Sequence, residues 1–303
     1  MSLNKRLISN EVAGQEARFD VTTWTGNTTS GSATRDINVG FAPDIYWIRG
    51  RNFTTNVIIN RVRGGGKGAS PHNSNPEDTG RTEVLLDNGI QLVGTSVNYN
   101  GEKAVMYSWG GGTEEVTNTN GSINTTIRAN ADAGYSVIEY TGNGTQGATI
   151  GHGLNSAPEF FVIKNLDNTV QTESWNVYNV VSGNNKYLFL NSDTAGGNTT
   201  AYNNTTPTSS VISIGNYSGV NYSGDKLLCF AFHSVSGYSK IGSYTGSGSS
   251  GNAQNIGFQP DMVIIKSTTH QYNWNIYDTK RPSGSITGRY LLIANSDGSE
   301  ITT

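Results

Sequence analysis

The stretch NIGFQPDMVIIKS, residues 255–267, decides the fold, because the chain has already written it twice. Residues 38–49 read NVGFAPDIYWIR and residues 150–164 read IGHGLNSAPEFFVIK. In each copy Gly and Pro make a turn, an acidic residue follows (Asp44, Glu159, Asp261), and an apolar run ends in Arg49, Lys164 or Lys266. A short apolar run bounded by turn formers predicts a buried strand.

Working outward, the copies agree over much longer stretches. Upstream lies an aromatic-Thr-Gly signature at Trp24-Thr25-Gly26, Tyr140-Thr141-Gly142 and Tyr244-Thr245-Gly246. Downstream come WNVYN (175–179) and WNIYD (274–278), with NVIIN (56–60) as a degenerate first copy, and then KYLFLNS (186–192) and RYLLIANS (289–296). Copies one and two close with GIQLVG…NYNGEKAVMYSW (89–109) and VISIGNYSGVNYSGDKLLCFAF (211–232). Pro43, Pro158 and Pro260 lie about 100 residues apart. That period suits β-sandwich units better than solenoid repeats. The expected fold is therefore all-β, with tandem β-sandwich domains of lectin or jelly-roll type.

The expected organisation is an N-terminal arm at 1–18, a first repeat at 19–109, a linker at 110–134, a second repeat at 135–232, a short linker at 233–237 and a third repeat at 238–303. The third copy has no counterpart of the closing strands at 211–232, so its sandwich is expected to be incomplete. Either a longer chain or a neighbouring subunit would supply them. The interrupted hairpin NSDGSEITT, with its Asp297-Gly298 turn, favours the former.

Composition agrees with strands. There are 38 Gly in 303 residues, with Asn, Ser and Thr throughout and few helix formers. Hydrophobic residues are 34% of the chain but clustered, which suits several small cores better than one large core. The formal charge of −3 comes without a basic stripe, so no nucleic-acid partner is expected. No apolar run is long enough to cross a bilayer as a helix, and no signal peptide is visible, so assembly in a cytoplasm is expected. The lone Cys229 has no partner for an intramolecular disulfide.

Catalytic patterns are missing. RVRGGGKGAS (61–70) fails as a phosphate loop, because Gly68 follows Lys67 and Val62 stands where the first Gly belongs. His72, His152, His233 and His270 lack metal-ligand spacing, and NSDGSE (295–300) lacks the full ligand series of a calcium loop. The repeated acidic residue reads as a reused turn rather than as three active sites. No enzyme, metal or cofactor is expected. Aromatic faces stack on sugar rings. Trp175, Trp274, Tyr178 and Tyr277 recur on strands and read as packing. Tyr99, Tyr202, Tyr217 and Tyr272 lie in loops and are the candidate glycan contacts.

The start MSLNKRLIS, the segment VTNTNGSINTTIRANADAGYSVIEYTGNGTQGATIGHGLNSAPEFFVIKN (116–165) and PTSSVISIGNYSGVNYSGDKLLCFAFHSVSGYSKIGSYTGSGS (207–249) resemble a repeat family of tailed-phage virion proteins, often described as tail fibres. Unit one departs most, with Asn56 where the family has Trp and Ile59 where it has an aromatic. The resemblance brings no catalytic residues with it. It implies a virion component made in the infected cell. The first expectation is a tail-fibre or spike adhesin that contacts host-surface glycan and docks on other virion proteins through the arm, with Lys5, Arg6 and Leu7 as contacts. By family analogy it would be a homotrimer. The alternatives are a head fibre, decoration or tail-wall protein and, behind these, a polysaccharide depolymerase.

Overall fold

The computed structural model of the protein describes residues 18–281 and 290–302, so the proposed arm contacts Lys5, Arg6 and Leu7 lie outside the described residues. The fold is all-β and sandwich-like. The first stretch supplies β1 (Arg18–Thr25), β2 (Thr34–Asn38), β3 (Pro43–Gly50), β4 (Asn56–Asn60), β5 (Val84–Leu86), β6 (Gly89–Val93) and β7 (Lys103–Gly110). They form a sheet of order β1-β7-β3-β4 and a smaller one of order β2-β6-β5.

The second stretch supplies β8 (Val116–Asn118), β9 (Thr125–Asn130), β10 (Tyr135–Thr141), β11 (Ala148–Gly151), β12 (Phe160–Asn165), β13 (Asn176–Asn179), β14 (Lys186–Phe189), β15 (Gly197–Asn198), β16 (Val211–Ile214) and β17 (Lys226–Phe232). Eight of these make one sheet, β15-β14-β13-β12-β17-β10-β9-β8, and β11 pairs with β16. A four-residue helix, α1 (Ser218–Asn221), precedes β17. The third stretch gives one sheet, β18 (Met262–Ile265), β19 (Asn275–Asp278), β20 (Tyr290–Ile293) and β21 (Ile301–Thr302), in chain order.

The repeat columns of the sequence reappear as strand register. Trp47 pairs with Ile58, Val162 with Val177 and Ile264 with Ile276, each four residues beyond its repeat proline. Residues 110–134, expected as a linker, are structured instead. They carry β8 and β9, and β9 pairs along β10 from Tyr135↔Asn130 to Tyr140↔Thr125. The short Thr-rich runs there are strand segments that a turn-rich composition hid.

Each main sheet has two apolar faces, as period-2 alternation provides. In unit one Tyr46, Ile48, Ile59 and Met106 pack on Ile37, Ile90 and Leu92 of the small sheet. In unit two Phe161, Ile163, Tyr178 and Cys229 pack on Ile150, Ile212 and Ile214. The opposite faces of all three units meet in one cluster that holds Trp47, Tyr107, Val162, Trp175, Phe230, Trp274, Ile276 and Leu292. A single large shared core therefore joins two smaller ones, where clustering of apolar residues suggested only separate small cores.

A cycle of hydrogen bonds closes around that core. Trp175 Nε1 of unit two donates to Ser70 O of unit one at 3.0 Å, and Trp274 Nε1 of unit three to Phe189 O of unit two at 2.9 Å. Asn56, in the same column of unit one, sends Nδ2 to Ala294 O at 2.7 Å and Ser296 O at 3.0 Å in unit three. The cations that end each recurring strand follow the same cycle. Lys164 Nζ donates to Ser74 O at 2.9 Å, Lys266 Nζ to Asp193 O at 3.1 Å, and Arg49 Nη2 to Gly298 O at 3.1 Å. Buried carbonyls need such donors, and charged ones bind them most strongly. Burial lowers the Lys164 amine to about 8, against the pull of Glu173.

The acidic residues serve as bolts. Asp44 is fully buried and accepts Arg128 Nε at 2.6 Å, Tyr135 Oη at 2.6 Å and Gly112 N at 2.8 Å, tying unit one to β9 and β10. Glu159 accepts Ser234 N at 2.7 Å and the Ser234 hydroxyl. Between units one and three, Tyr107 Oη donates to Asp278 at 2.7 Å and Arg281 Nε to the same oxygen at 2.5 Å. Glu300 takes Arg281 Nη1 at 2.9 Å and the fork of Arg51 at 3.0 and 3.1 Å. The Glu of the faint calcium-loop pattern is thereby an ion-pair partner.

Candidate functional site

The site is built at one end of the eight-stranded sheet, where β14 is followed only by the two-residue β15. Strand alternation on β14 buries Leu188 and turns Tyr187 and Phe189 to the other face, half-buried. Their ring centroids are 4.4 Å apart at 34°. Gly197 of β15 lies close to the Tyr187 ring, and a Cβ there would sit 2.8 Å from the ring's outer atoms, so a larger residue would push the ring aside.

These rings, with Tyr217 just before α1, line a cleft of about 670 Å³ together with the amides of Asn176, Asn185, Asn198 and Asn204 and the hydroxyls of Thr199 and Thr200. That volume suits one or two sugar-sized groups. Lys186 Nζ holds Asn198 Oδ1 at 2.5 Å, and Thr199 N bonds Asn185 O at 2.9 Å, fixing the rim. Asn204 has φ 49°, a left-handed conformation that Asn tolerates, at the turn that presents its amide.

Tyr217 is 37% exposed, and its hydroxyl donates to Glu173 Oε2 at 2.8 Å. Burial, and then the Glu173 carboxylate, push the phenol well above its ordinary range. Glu173 also accepts Gln171 Nε2 at 2.7 Å and the Ser218 hydroxyl, so it anchors the ring from behind. The described lining holds no carboxylate, thiol or imidazole. The groups this lining presents are rings, amides and hydroxyls.

Of the four loop tyrosines singled out in the sequence, only Tyr217 lines this cleft. Tyr99 is 46% exposed on the turn before β7, and Tyr272, 64% exposed, lies beside His270 before β19. Tyr202 is not a surface residue. It is 1% exposed, with its ring edge-on to Phe161 at 5.2 Å and Tyr178 at 5.6 Å, so no face is left for a sugar. Its asparagine-rich surroundings suggested an open loop, but Gly215 N to Ala201 O at 2.7 Å tucks that loop over the core.

Sequence reasoning missed Tyr187 and Phe189, because KYLFLNS was noted only as a repeat column and its aromatics were not weighed as contacts. The available signal was the alternation of aromatic residues with Lys and Leu on a strand flanked by asparagines. No cluster of His, Cys, Asp or Glu able to hold a metal occurs among the described residues. Cys229 is buried and free, with its thiol pushed up by burial. No helix of the described residues is long and apolar enough to cross a membrane.

No curated protein and no solved structure matches the chain. A family model does match, over residues 12–303, and the chain therefore belongs to the family described as a domain of unknown function, DUF7483.

Proposed function

We propose that this chain is a non-catalytic component of a tailed-phage particle, a tail-fibre or spike adhesin that holds host-surface glycan in the cleft beside β14. The observation that carries the binding part is the cleft lining, in which Tyr187, Phe189 and Tyr217 offer rings among neutral amides and hydroxyls. The particle context rests on the phrase-level resemblance in 116–165 and 207–249. Contacts of this kind are individually weak and gain strength when several copies act together, which fits a homo-oligomeric fibre docked through its N-terminal arm.

The test is a glycan array followed by saturation-transfer NMR on the wild type, Tyr187→Ala and Tyr217→Ala. The expected result is binding to a defined set of glycans, weakened about tenfold, or ~1.4 kcal/mol, in each variant. Absence of any glycan ligand, or equal binding by all three proteins, would sink the adhesin reading. Cryo-EM of particles tests the location, since an adhesin projects from the tail.

A second reading, a head-fibre, decoration or tail-wall protein, is favoured by the cross-unit hydrogen-bond cycle, which makes a stiff building block. The depolymerase alternative would need a carboxylate pair, which the described cleft lining does not offer.

A further inference from the structure

Four Asn-Gly pairs stand in the chain, at 88–89, 100–101, 120–121 and 143–144. Such a pair is able to react with itself, because glycine leaves its backbone nitrogen unhindered beside the preceding carboxamide. All four asparagines are exposed, so access to water does not separate them. What separates them is how each peptide group and each carboxamide is held.

At three pairs the reacting groups are tied. The Asn88 carbonyl takes Val39 N at 2.8 Å and Gly40 N at 3.2 Å, and Gly89 is paired with Leu86 on one side and Asn38 on the other. Gly101 N donates to Gly26 O at 3.0 Å. Gly144 N donates to Asn221 O at 2.9 Å, and Asn143 Oδ1 accepts Thr145 N at 2.9 Å and Asn221 Nδ2 at 3.3 Å. A bonded amide must open before it reacts.

The fourth pair lies in the turn between β8 and β9. There the Gly121 N–H, the Asn120 carbonyl and the Asn120 carboxamide have no hydrogen-bond partner among the described residues. The flanks of the turn are nevertheless fixed. Asn120 N donates to Asn118 Oδ1 at 2.9 Å, and Ile123 N to Thr149 O at 3.0 Å. Ser122 and Thr149 exchange backbone-to-hydroxyl bonds at 2.8 and 2.9 Å. The free amide is thus held in place, while the exposed carboxamide beside it is left to rotate onto it.

We propose that Asn120 is a self-modification site, where the chain converts its own carboxamide to aspartate and isoaspartate and so unlatches the edge strand β8. Gly121 N attacks Asn120 Cγ, the new N–Cγ bond closes a succinimide, the Cγ–Nδ2 bond breaks, and Nδ2 leaves as ammonia with the amide proton. Water then opens the ring at either carbonyl. One opening gives Asp, and the other gives isoAsp, which carries an extra methylene in the main chain; both add a negative charge at neutral pH. β8 is the last strand of the eight-stranded sheet and pairs with β9 over only three residues, from Val116↔Ile127 to Asn118↔Thr125. A lengthened turn misaligns that register and the bonds to Thr149, because a Cβ on Gly121 would already lie 2.4 Å from Thr149 O. The site is distinct from the glycan cleft and does not depend on it.

The test is to age the whole chain in mildly alkaline buffer and map the products by peptide mass spectrometry with isoaspartate-specific methylation. Conversion at Asn120 is expected to run at least about tenfold faster than at Asn88, Asn100 or Asn143, and the four rates should converge in urea. Asn120→Gln should keep the melting temperature and lose the early product. Amide exchange at 116–118 and 123 should quicken in the aged wild type and stay unchanged in aged Asn120→Gln. The proposal is overturned by equal rates at the four pairs in the folded chain, by faster conversion at another pair, or by exchange in β8 that does not change as Asn120 converts.

Discussion

Units two and three are written in nearly the same words over WNVYN and WNIYD, yet the same columns have different fates. Tyr178 is 1% exposed and stacks on Phe161, while Tyr277 in its column is half-buried. Strand β12 is buried almost throughout, whereas every residue of β18 keeps some solvent contact. The difference lies in the neighbours. In unit two β17 covers one edge of β12, and β11 and β16 cover its outer face. Unit three has neither cover among its described residues, and there burial is reached by Trp274, Ile276, Leu292 and Ala294 in the shared core and by the ion-paired Arg281. A residue's burial belongs to the strands around it, and the repeat pattern reports only where those strands would go.

The largest expected contrast is between the acidic residues. Asp44→Ala should cost about 3–5 kcal/mol, because it strands Arg128 and Tyr135 in the interface. Asp261→Ala, whose side chain is bonded at 3.0 Å to the Thr279 hydroxyl at an exposed site, should cost less than about 0.5 kcal/mol. Urea denaturation of both variants checks the pair. Equal costs would mean that unit three is closed in solution.

Acid should act through His152, a fully buried unit-two residue whose imidazole is held at about 4 by burial. Leu154 N donates to its Nδ1 at 3.1 Å, and Nε2 faces Thr208 O at 3.2 Å, so the neutral ring is the hydrogen-bonded form. Above pH ~6.5 folded and unfolded chains both hold a neutral ring. Between there and pH 4 the unfolded chain takes the proton first, so stability falls with falling pH, by about 3 kcal/mol in all. His152→Gln should remove that part of the slope in denaturation measured at pH 7 and pH 4.5.

Smaller still is the contrast between signature glycines. Gly142→Ala must displace the Tyr222 carbonyl and should cost about 1–3 kcal/mol, while Gly246→Ala should stay within about 0.5 kcal/mol. Thermal melts of the two variants decide it.

Much of this was legible in residues 255–267 and their echoes. The turn at each Gly-Pro pair, the strand behind it, the period and the all-β class follow from local φ/ψ preference and period-2 patterning, which neighbouring residues encode between them. Other features required the chain to come back on itself. The bonds from Trp175 to Ser70, 105 residues apart, and from Asn56 to Ala294, 238 apart, join groups whose separation carries no sequence signal. The burial of Tyr202 and the pairing of Tyr187 with Tyr217 across one cleft have the same origin. Spacing along the chain determines which residues alternate on a strand. Only the packing of sheets on one another decides which of those residues lose their water, which become bolts between units, and which remain free to meet a ligand.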